Sequence, residues 1–384
     1  MTAPSVELGT IASVERKSVK PDEIRGHVSY VGLENITGDG TFVDVAPAGE
    51  AAIKSNKFVF SSEHILYGKL RPYLSKIAAP QFGGVCSTDI VPIRPGPDID
   101  RRFLLHVLRT PAMVGHATRL AVGANLPRLS PKSLETFPIP LPPIEEQRLI
   151  AAILDAADEL RAKRRQALAK LDTLTQAIFI DMFGDPVANP RGLPTARLDE
   201  VFDIARGGSP RPIQDFLTDD ANGINWVMIG DAPEGTKYIT GTAKRIRPEG
   251  EKRSRRVRPG DLLLTNSMSF GRPYIMRTTG CIHDGWLVLS PKSDSTSSDY
   301  FHAALAMRSV YDVFVRRAPG ATVKNLNIDL VRSLEMPLPS AQDQARFATM
   351  ARRTEARVAR AEESKALLDD LFASLQQRAF RGEL

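Results

Sequence analysis

Basic residues are concentrated in one short segment of the chain. Residues 244–258, KRIRPEGEKRSRRVR, contain eight lysines and arginines against only Glu249 and Glu251. Lysine and arginine contact nucleic-acid phosphates, and arginine and asparagine can also form paired hydrogen bonds to base edges. A charge run is more often only a solvated face. Here it lies in the same region as residues 206–211 and 266–272, which mix arginine with glycine, serine and asparagine, and this mixture predicts DNA binding.

We predict that loops in both halves of the chain contact DNA. The first half has a lower basic density and is included largely because its motifs recur in the second. Its candidates are Lys69, Arg71, Tyr73, Lys76, Asn125 and Arg128. The candidates of the second half are Gly208, Ser209, Arg211, Asn266, Ser267, Arg272, Tyr274, Lys324 and Asn325. Phosphate contact and base readout stay open for each of them.

The sequence contains no pattern that predicts catalysis. It lacks a GxxxxGK phosphate-binding loop, and none of its six histidines stands in an HxxxH pair that could bind a metal from one helix face. Glu15 with Lys17 and Glu363 with Lys365 are fragments of a nuclease-like ExK pattern, but solvated charges explain them better. We therefore expect a protein that is not an enzyme and has neither a metal nor a cofactor.

Composition sets wider limits. With 384 residues and 42% apolar content, the chain can form two or three domains with sizeable cores. A net charge of +6 and a pI near 9.3 favour a polyanionic partner only weakly. The first residues do not read as a signal peptide, and the apolar run 149–154 is too short to span a bilayer. Only two cysteines, Cys86 and Cys281, are present, so we expect a cytoplasmic location.

A long helix is predicted over residues 144–182, directly after Pro142 and Pro143. Its apolar and small residues recur at steps of three and four for about four heptads, which is typical of a coiled-coil seam. An ordinary core helix usually has a wider apolar stripe. The predicted seam residues are Ile150, Ile153, Ala157, Leu160, Leu171, Leu174 and Ile178. This helix requires a partner of similar length.

The partner helix is predicted in the same chain, because the pattern recurs 197 positions later. Gln147 then corresponds to Gln344, and a Pro-Leu-Pro run precedes both helices. The predicted seam residues of the second helix are Phe347, Met350, Leu368, Leu371 and Leu375. The recurrence of the seam pattern at one offset, together with the Pro-Leu-Pro run before both helices, indicates an internal duplication. We expect the two helices to pair in an antiparallel coiled coil.

Shorter motifs extend the repeat into the globular parts, with an offset that drifts. Residues 71–73, Arg-Pro-Tyr, are matched with 272–274 at an offset of 201, and Cys86 with Cys281 at 195. Insertions belong in loops, so we expect two parts that differ in their loops and share one helical frame. Short apolar runs between Gly, Pro and Asp turns indicate that both parts are rich in strands. The fold class predicted is therefore α+β with a pseudo-two-fold internal repeat.

The motifs as a set resemble the specificity subunit of a type I restriction-modification system. The residues that carry the resemblance are 68–74 (GKLRPYL), 140–147 (PLPPIEEQ), 179–186 (FIDMFGDP), 207–210 (GGSP) and 379–384 (AFRGEL). Each motif alone is weak, but their order and duplication are fairly specific. The resemblance covers nearly the whole chain.

This resemblance implies two target recognition domains, at 1–143 and 196–339, joined by a linker at 183–195. It also implies that the helices at 144–182 and 340–384 form the antiparallel coiled coil and set the spacing of two unlike DNA half-sites. The implied partners are two methyltransferase subunits, which supply S-adenosylmethionine chemistry, and ATP-driven restriction subunits. Two other functions stay open: a coiled-coil scaffold whose globular ends bind proteins, and a stand-alone nuclease or methyltransferase.

Overall fold

The computed structural model describes residues 4–51, 53–233, 235–266, 270–317 and 326–383, apart from the side chain of Asp172. The chain forms two compact units. The first contains residues 1–165 and 363–384, and the second contains residues 166–362. Two long helices pass from one unit to the other, so each unit contains half of each helix.

The strands of the first unit are short and precede a run of helices. In chain order the elements are β1 (Ser5–Glu7), α1 (Leu8–Ile11), β2 (Ala12–Val14), β3 (Ser18–Val19), β4 (Ser29–Val31), β5 (Ala46–Pro47), β6 (Lys57–Phe60), β7 (Ile65–Gly68), β8 (Ile77–Ala78), β9 (Gly84–Cys86), β10 (Ile90–Pro95), α2 (Arg101–Leu108), α3 (Pro111–Leu120), α4 (Pro131–Glu135), β11 (Pro138–Pro140) and the first long helix α5 (Ile144–Phe183). Asp100 caps α2 by accepting hydrogen bonds from the amides of Arg102 and Phe103.

The second part of the chain repeats this order. Its elements are β12 (Thr195–Arg197), α6 (Leu198–Val201), β13 (Phe202–Arg206), β14 (Leu217–Thr218), β15 (Ile224–Val227), β16 (Tyr238–Ile239), β17 (Lys244–Ile246), β18 (Arg255–Val257), β19 (Leu262–Thr265), β20 (Pro273–Met276), β21 (Gly280–Ile282), β22 (Trp286–Pro291), α7 (Ser298–Leu305), α8 (Arg308–Arg317), α9 (Ile328–Arg332), β23 (Glu335–Pro337) and the second long helix α10 (Ala341–Ala379). Short 3-10 helices lie at Pro21–Glu23, Leu33–Asn35, Pro72–Leu74, Ile213–Asp215, Ile229–Asp231 and Pro248–Arg253.

The sheets of the two units share their central strands and differ at the edges: the second unit adds β16, and β3 and β14 lie at opposite ends of their sheets. The first unit contains sheets of order β2-β10-β7-β8 and β3-β6-β9-β4-β5, and the second contains β13-β22-β19-β20-β16 and β14-β17-β15-β21-β18. The second sheet of each unit is antiparallel except for one parallel pair, β4 with β9 and β15 with β21. A two-stranded sheet, β1-β11 or β12-β23, completes each unit. The predicted α+β fold with two strand-rich domains and long helices is confirmed.

The repeat extends to individual buried side chains. Gln147 is fully buried, accepts a hydrogen bond from the Asp100 amide at 2.8 Å and donates to the Pro142 carbonyl at 2.8 Å. Gln344, 197 positions later, accepts from the Ser297 amide at 3.0 Å and donates to the Pro339 carbonyl at 2.9 Å. Each glutamine therefore fastens the start of a long helix to the strand-rich part before it.

The halves of the two long helices pack antiparallel within each unit. In the first unit Ile150 lies in one core with Ala379, and Arg161 Nε donates to Asp369 at 2.6 Å. Partner numbers thus fall as residue numbers rise. In the second unit the Phe179 ring lies 5.5 Å from that of Phe347, in a cluster that includes Tyr300.

The seam of the long helices differs in part from the predicted one. Leu160 and Leu371 are 53% and 51% exposed, so neither lies in the seam. Leu154 is buried instead, and the half-buried Phe372 carries the Arg161 guanidinium 4.4 Å above its ring. Met350 is half-buried but lies beside the seam, which runs through Ala351 instead. The other predicted seam residues are buried or half-buried: Ile150, Ile153, Ala157, Leu171, Leu174, Ile178, Phe347, Leu368 and Leu375.

The seam follows steps of four and three, and on α10 it includes one charged residue, Lys365. On α10 it contains Phe347, Ala351, Thr354, Val358, Ala361, Lys365, Leu368, Phe372, Leu375 and Ala379. Leu371 and Phe372 stand three and four residues after Leu368, so both satisfy the heptad rule. Phe372 occupies the seam position, and its ring packs against the Arg161 guanidinium.

Two of the matches made between the repeats are wrong in register. Phe60 pairs with Gly84, and Val257 pairs with Gly280, so β9 and β21 correspond at an offset of 196. Cys86 therefore corresponds to Ile282 and not to Cys281. Because neighbouring strand residues point to opposite faces, Ile282 lies in the core cluster that corresponds to that of Cys86, whereas Cys281 lies in a cluster on the other face.

The Arg-Pro-Tyr match also joins unlike places. Residues 71–73 enter the 3-10 helix Pro72–Leu74, where Tyr73 is 50% exposed. Pro273 and Tyr274 belong to β20, and Tyr274 is only 2% exposed. The identical residues thus carry no equivalent role. Within the described ranges, no helix combines the length and apolar character needed to cross a membrane.

Candidate nucleic-acid interface

Two loops of the first unit form one surface, which we name the first loop surface (residues 69–76 and 121–129). The Arg71 amide donates to the Pro127 carbonyl at 2.7 Å, and the Leu129 amide donates to the Lys69 carbonyl at 2.9 Å. Val122 and Arg128 pair as an isolated antiparallel bridge within the second loop. These bonds bring together residues that lie more than fifty positions apart in the sequence.

The predicted contact residues of the first loop surface differ in availability. Arg71 and Asn125 are exposed, and Arg71 has a left-handed backbone with φ of 51°. Tyr73 is half exposed. Lys76 is half-buried and its Nζ donates to the Leu33 carbonyl, so its charge is engaged within the fold. Arg128 Nε donates to Asp89 Oδ1 at 3.2 Å.

Lys69 supports this surface through its backbone. Its amide donates to the Asp89 carbonyl at 2.9 Å, which fixes the loop to the turn before β10. Two aliphatic side chains of the second loop are also exposed, Val122 by 80% and Leu126 by 48%. The surface therefore presents arginine, asparagine, a tyrosine ring and apolar groups side by side. Apolar groups of this kind can contact thymine methyl groups.

The second unit has a corresponding second loop surface (residues 206–211, 266, 270–272 and 283–285). The Leu326 amide donates to the Asn266 carbonyl at 2.8 Å, 197 positions after the bond between Leu129 and Lys69. The Asn266 amide donates to the Gly285 carbonyl at 3.0 Å. The same backbone ties therefore hold both surfaces, although their side chains differ.

Four polar residues of the second loop surface converge on Asp284. Ser209 Oγ donates to Asp284 Oδ1 at 2.8 Å, and Arg211 Nη2 lies 3.4 Å from Oδ2. Arg206 Nε and Asn266 Nδ2 both donate to the Asp284 carbonyl, at 3.1 and 2.9 Å. The Ser209 hydrogen bond lowers the pKa of Asp284 against the effect of burial, with help from His283 and Arg211. The carboxylate is therefore charged at neutral pH.

Gly208 allows the glycine-rich loop to approach the basic segment. A Cβ at this position would lie 2.9 Å from the Arg253 carbonyl oxygen, so a larger residue would have to displace backbone. The Gly208 amide donates to the Ile282 carbonyl at 3.2 Å. Glycine is thus required here by close packing of backbone.

Several predicted residues of the second unit do not lie on an exposed surface. Asn266 is 2% exposed, and Tyr274 lies in the core with its ring edge against Trp286 at 5.7 Å. Their burial removes both from the set of direct DNA contacts in this conformation, and Arg272 is half-buried. Ser267, Lys324 and Asn325 lie outside the described residues.

The basic segment 244–258 lies beside the second loop surface. It forms β17, the 3-10 helix Pro248–Arg253 and the edge strand β18. All of its lysines and arginines are exposed except Arg245, which is half-buried. Arg253 Nη1 donates to the Arg211 carbonyl at 3.4 Å, which connects the segment to the loop that carries Ser209. Glu251 pairs with Arg256 at 2.6 Å, so part of the charge is neutralised.

Sequence reasoning missed Asp89 and Asp284. A search for basic and amide groups does not select carboxylates, and their partners are 39 and 73 residues away. The only local signal is an aspartate between two apolar strand runs in each half. Among the described residues, no group of three or more histidine, cysteine or acidic side chains could hold a metal ion.

Comparisons with known proteins give a consistent set of relatives. Residues 7–171 match the family described as type I restriction modification DNA specificity domain. The chain is 33% identical over 138 residues to the type I restriction enzyme EcoDI specificity subunit of Escherichia coli, covering 35% of this chain and 31% of that protein. It is 24% identical over 323 residues to the EcoBI specificity subunit of the same species, covering 74% and 66%. The aligned part thus spans about a third to two thirds of these relatives.

Solved structures share the fold. A chain from work on complex assembly and conformational transition of the type I R-M system gives a TM-score of 0.63 at 23% identity, covering 100% of this chain and 98% of that one. The S subunit of a type I restriction-modification system from M. genitalium gives 0.59 at 14% identity, covering 98% and 95%. At these identities the likeness concerns the fold.

Proposed function

We propose that the chain is a specificity subunit of a type I restriction-modification system, a non-catalytic subunit that recognises a bipartite, asymmetric DNA target. The observation that carries the proposal is the pair of loop surfaces. Both are held by the same backbone bonds, Leu129 to Lys69 and Leu326 to Asn266, yet they present different side chains. Two unlike surfaces on a repeated scaffold suit two unlike half-sites.

The side chains indicate how each half-site would be read. The first loop surface offers the exposed Arg71 and Asn125 with the half-exposed Tyr73, and the second offers Ser209 and Arg211. Arginine can bind guanine O6 and N7, and asparagine can bind adenine, each through paired hydrogen bonds. The exposed charges of the basic segment 244–258 would contact phosphates and supply sequence-independent affinity.

In the proposed assembly the chain directs two methyltransferase subunits and the restriction subunits to the DNA. The long helices have exposed leucines that could bind a protein partner. Leu149, Leu160, Leu367 and Leu371 are each more than half exposed in the first unit. These leucines also support the alternative, a coiled-coil scaffold that binds other proteins only. That alternative predicts no sequence preference in DNA binding.

Selection from a pool of random duplexes tests the proposal. The full chain is co-purified with its candidate methyltransferase subunits, and bound duplexes are sequenced. We expect one enriched motif that consists of two unlike half-sites at a fixed spacing. DNA retained without an enriched motif, or no retention at all, would refute sequence recognition and favour the scaffold.

Repeating the selection with variants shows which loop surface binds which half-site. Arg71→Ala should relax one half-site, and Arg211→Ala should relax the other, while the spacing stays unchanged. Arg197→Ala, which removes an exposed arginine outside both loop surfaces and outside the basic segment, is the matched control and should leave the motif intact. If both arginine variants relaxed the same half-site, a division of labour between the two surfaces would be wrong.

A further inference from the structure

An arginine of each loop surface pairs with one aspartate, and both aspartates lie in the same turn of the fold. Asp89 lies in the turn that connects β9 to β10, and Asp284 lies in the turn that connects β21 to β22. The turns close alike, since the Ile90 amide donates to the Ser87 carbonyl and the Trp286 amide donates to the His283 carbonyl. At the offset of 196 the two aspartates differ by one position. The turn is shared, and in both repeats it bears a carboxylate.

Each carboxylate holds an arginine that comes from a different loop. Asp89 Oδ1 accepts from Arg128 Nε at 3.2 Å, and Asp284 Oδ2 lies 3.4 Å from Arg211 Nη2. Arg128 belongs to the loop before α4, whereas Arg211 belongs to the loop after β13. Both arginines extend to the surface, with side chains 51% and 79% exposed, and the aspartates are less exposed at 27% and 48%. An aspartate–arginine pair thus occurs in both units, although the arginines come from loops that do not correspond in the repeat.

A carboxylate at this place is unfavourable for phosphate binding. It is repelled by the DNA backbone, and it cancels the charge of the arginine beside it, which reduces the electrostatic term that phosphate contacts depend on. Its presence makes better sense if the arginine reads a base edge, because base readout depends on hydrogen-bond direction more than on net charge. The bond to Arg128 uses Nε, so the edge formed by Nη1 and Nη2 faces away from Asp89. In Arg128 that edge can donate two hydrogen bonds to guanine O6 and N7. Arg211 meets Asp284 through Nη2, which carries a second hydrogen, so this hydrogen and Nη1 can donate in the same way.

Hydrogen bonds to the turns of Asp89 and Asp284 hold the two aspartates in place. The Lys69 amide donates to the Asp89 carbonyl, and Asn266 donates to the turn of Asp284 through both its amide and its Nδ2. Ser209 occupies the other oxygen of Asp284. An arginine held by a fixed carboxylate loses less conformational freedom on binding than a free one. The aspartates are therefore placed to orient the guanidinium groups before DNA arrives.

We propose that Asp89 and Asp284 are positioning residues for specificity, which orient Arg128 and Arg211 toward guanine in the two half-sites. This inference rests on the proposed function. It assigns the pairs to base readout and distinguishes them from the exposed lysines and arginines of the basic segment, which would contact phosphates.

The test is a double-mutant cycle on the full chain with its candidate methyltransferase subunits. Affinity is measured for the selected duplex and for duplexes in which each guanine is replaced in turn. Asp89→Ala should reduce discrimination at one guanine about tenfold, while affinity for unrelated duplex stays equal or rises. Arg128→Ala should lose discrimination at the same guanine, and the double variant should be no worse than Arg128→Ala. Asp89→Asn, which keeps an acceptor for Nε, should retain much of the discrimination.

Controls separate this inference from a general charge effect. Glu50→Ala removes another exposed carboxylate of the first unit and should leave every ratio unchanged. If Asp89→Ala raised affinity for all duplexes equally, or if the two losses were additive, the positioning role would be wrong. Asp284→Ala and Arg211→Ala provide the same cycle in the second unit should Asp89→Ala fold poorly. A wild-type chain that selects no motif would overturn the proposed function itself, whereas an intact motif in all aspartate variants would overturn only this inference.

Discussion

Replacing Gln147 by alanine should destabilise the first unit more than any surface change on α5. Its side chain is fully buried and makes three hydrogen bonds, to the Asp100 amide at 2.8 Å, the Pro142 carbonyl at 2.8 Å and the Asp98 carbonyl at 3.1 Å. A hydrogen bond contributes about 0.5–1.5 kcal/mol net, and a buried group left unpaired costs about 1–3 kcal/mol. The expected loss is therefore about 2–4 kcal/mol in the free energy of unfolding.

Urea unfolding followed by far-UV circular dichroism measures this loss. Arg148→Ala is the matched control, because the neighbouring side chain is 56% exposed and forms only a surface ion pair with Glu145. That pair is worth less than about 1 kcal/mol. Hydrogen exchange adds a local readout, since the Asp100 amide should lose protection in Gln147→Ala. Equal stabilities of Gln147→Ala and Arg148→Ala would show that the buried glutamine does not hold the helix start, and would refute the reasoning.

Three further outcomes follow from the structure. Phe372→Ala should lower the free energy of unfolding by about 2 kcal/mol or more. Leu371→Ala, at a half-exposed neighbour, should change it by less than about 0.5 kcal/mol. A larger loss in Leu371→Ala than in Phe372→Ala would show that Leu371 lies in the seam, as the sequence predicts. The hydrogen bond from His64 lowers the pKa of Glu15 in the folded protein. The stabilisation from this bond is therefore present above the ordinary pKa of glutamate, about 4.3, and is lost as pH falls through the lowered pKa. The free energy of unfolding of Glu15→Gln, measured against pH, should fall less in acid than that of the wild-type chain. Arg255→Ala should weaken all duplexes alike and reduce the slope of log affinity against log salt by about 0.9 if it makes one phosphate contact, and an unchanged slope would place Arg255 off the DNA.

The helical frame could be predicted from sequence because its signals are local and repeated. Gln147 and Gln344 recur at the 197-residue offset that relates α2 to α7 and α5 to α10. Proline runs and the Ser340 cap, whose Oγ accepts from the Asp343 amide at 3.1 Å, mark the helix starts without reference to any distant residue. Such features survive in a duplicated sequence because insertions fall elsewhere.

Strand register could not be predicted in the same way. Strands of two to six residues carry too little period-two pattern to fix an offset, so Cys86 and Cys281 were matched although their strands correspond at 196. Chemical identity was equally misleading for Tyr73 and Tyr274, one exposed in a turn and the other buried in a strand.

The candidate interface was predicted by residue type and only partly by position. Arg71 and Asn125 are exposed as their type suggests, and the loops that carry them meet through the bond from Arg71 to Pro127. Asp89 and Asp284 escaped because their role depends on arginines that only the fold brings near. A single sequence does not show which aspartate and arginine lie close together in the fold when they are 39 or 73 positions apart.

The short two-stranded sheets have a consequence for how such a protein can change. Ser5 pairs with Pro140 and Thr195 pairs with Pro337, so each strand-rich part begins and ends on adjacent strands, about 4.8 Å apart. Entry and exit are therefore fixed at one seam beside the start of a long helix, whatever lies between them. A change of sequence confined between the two paired strands would therefore leave the start of the long helix in place.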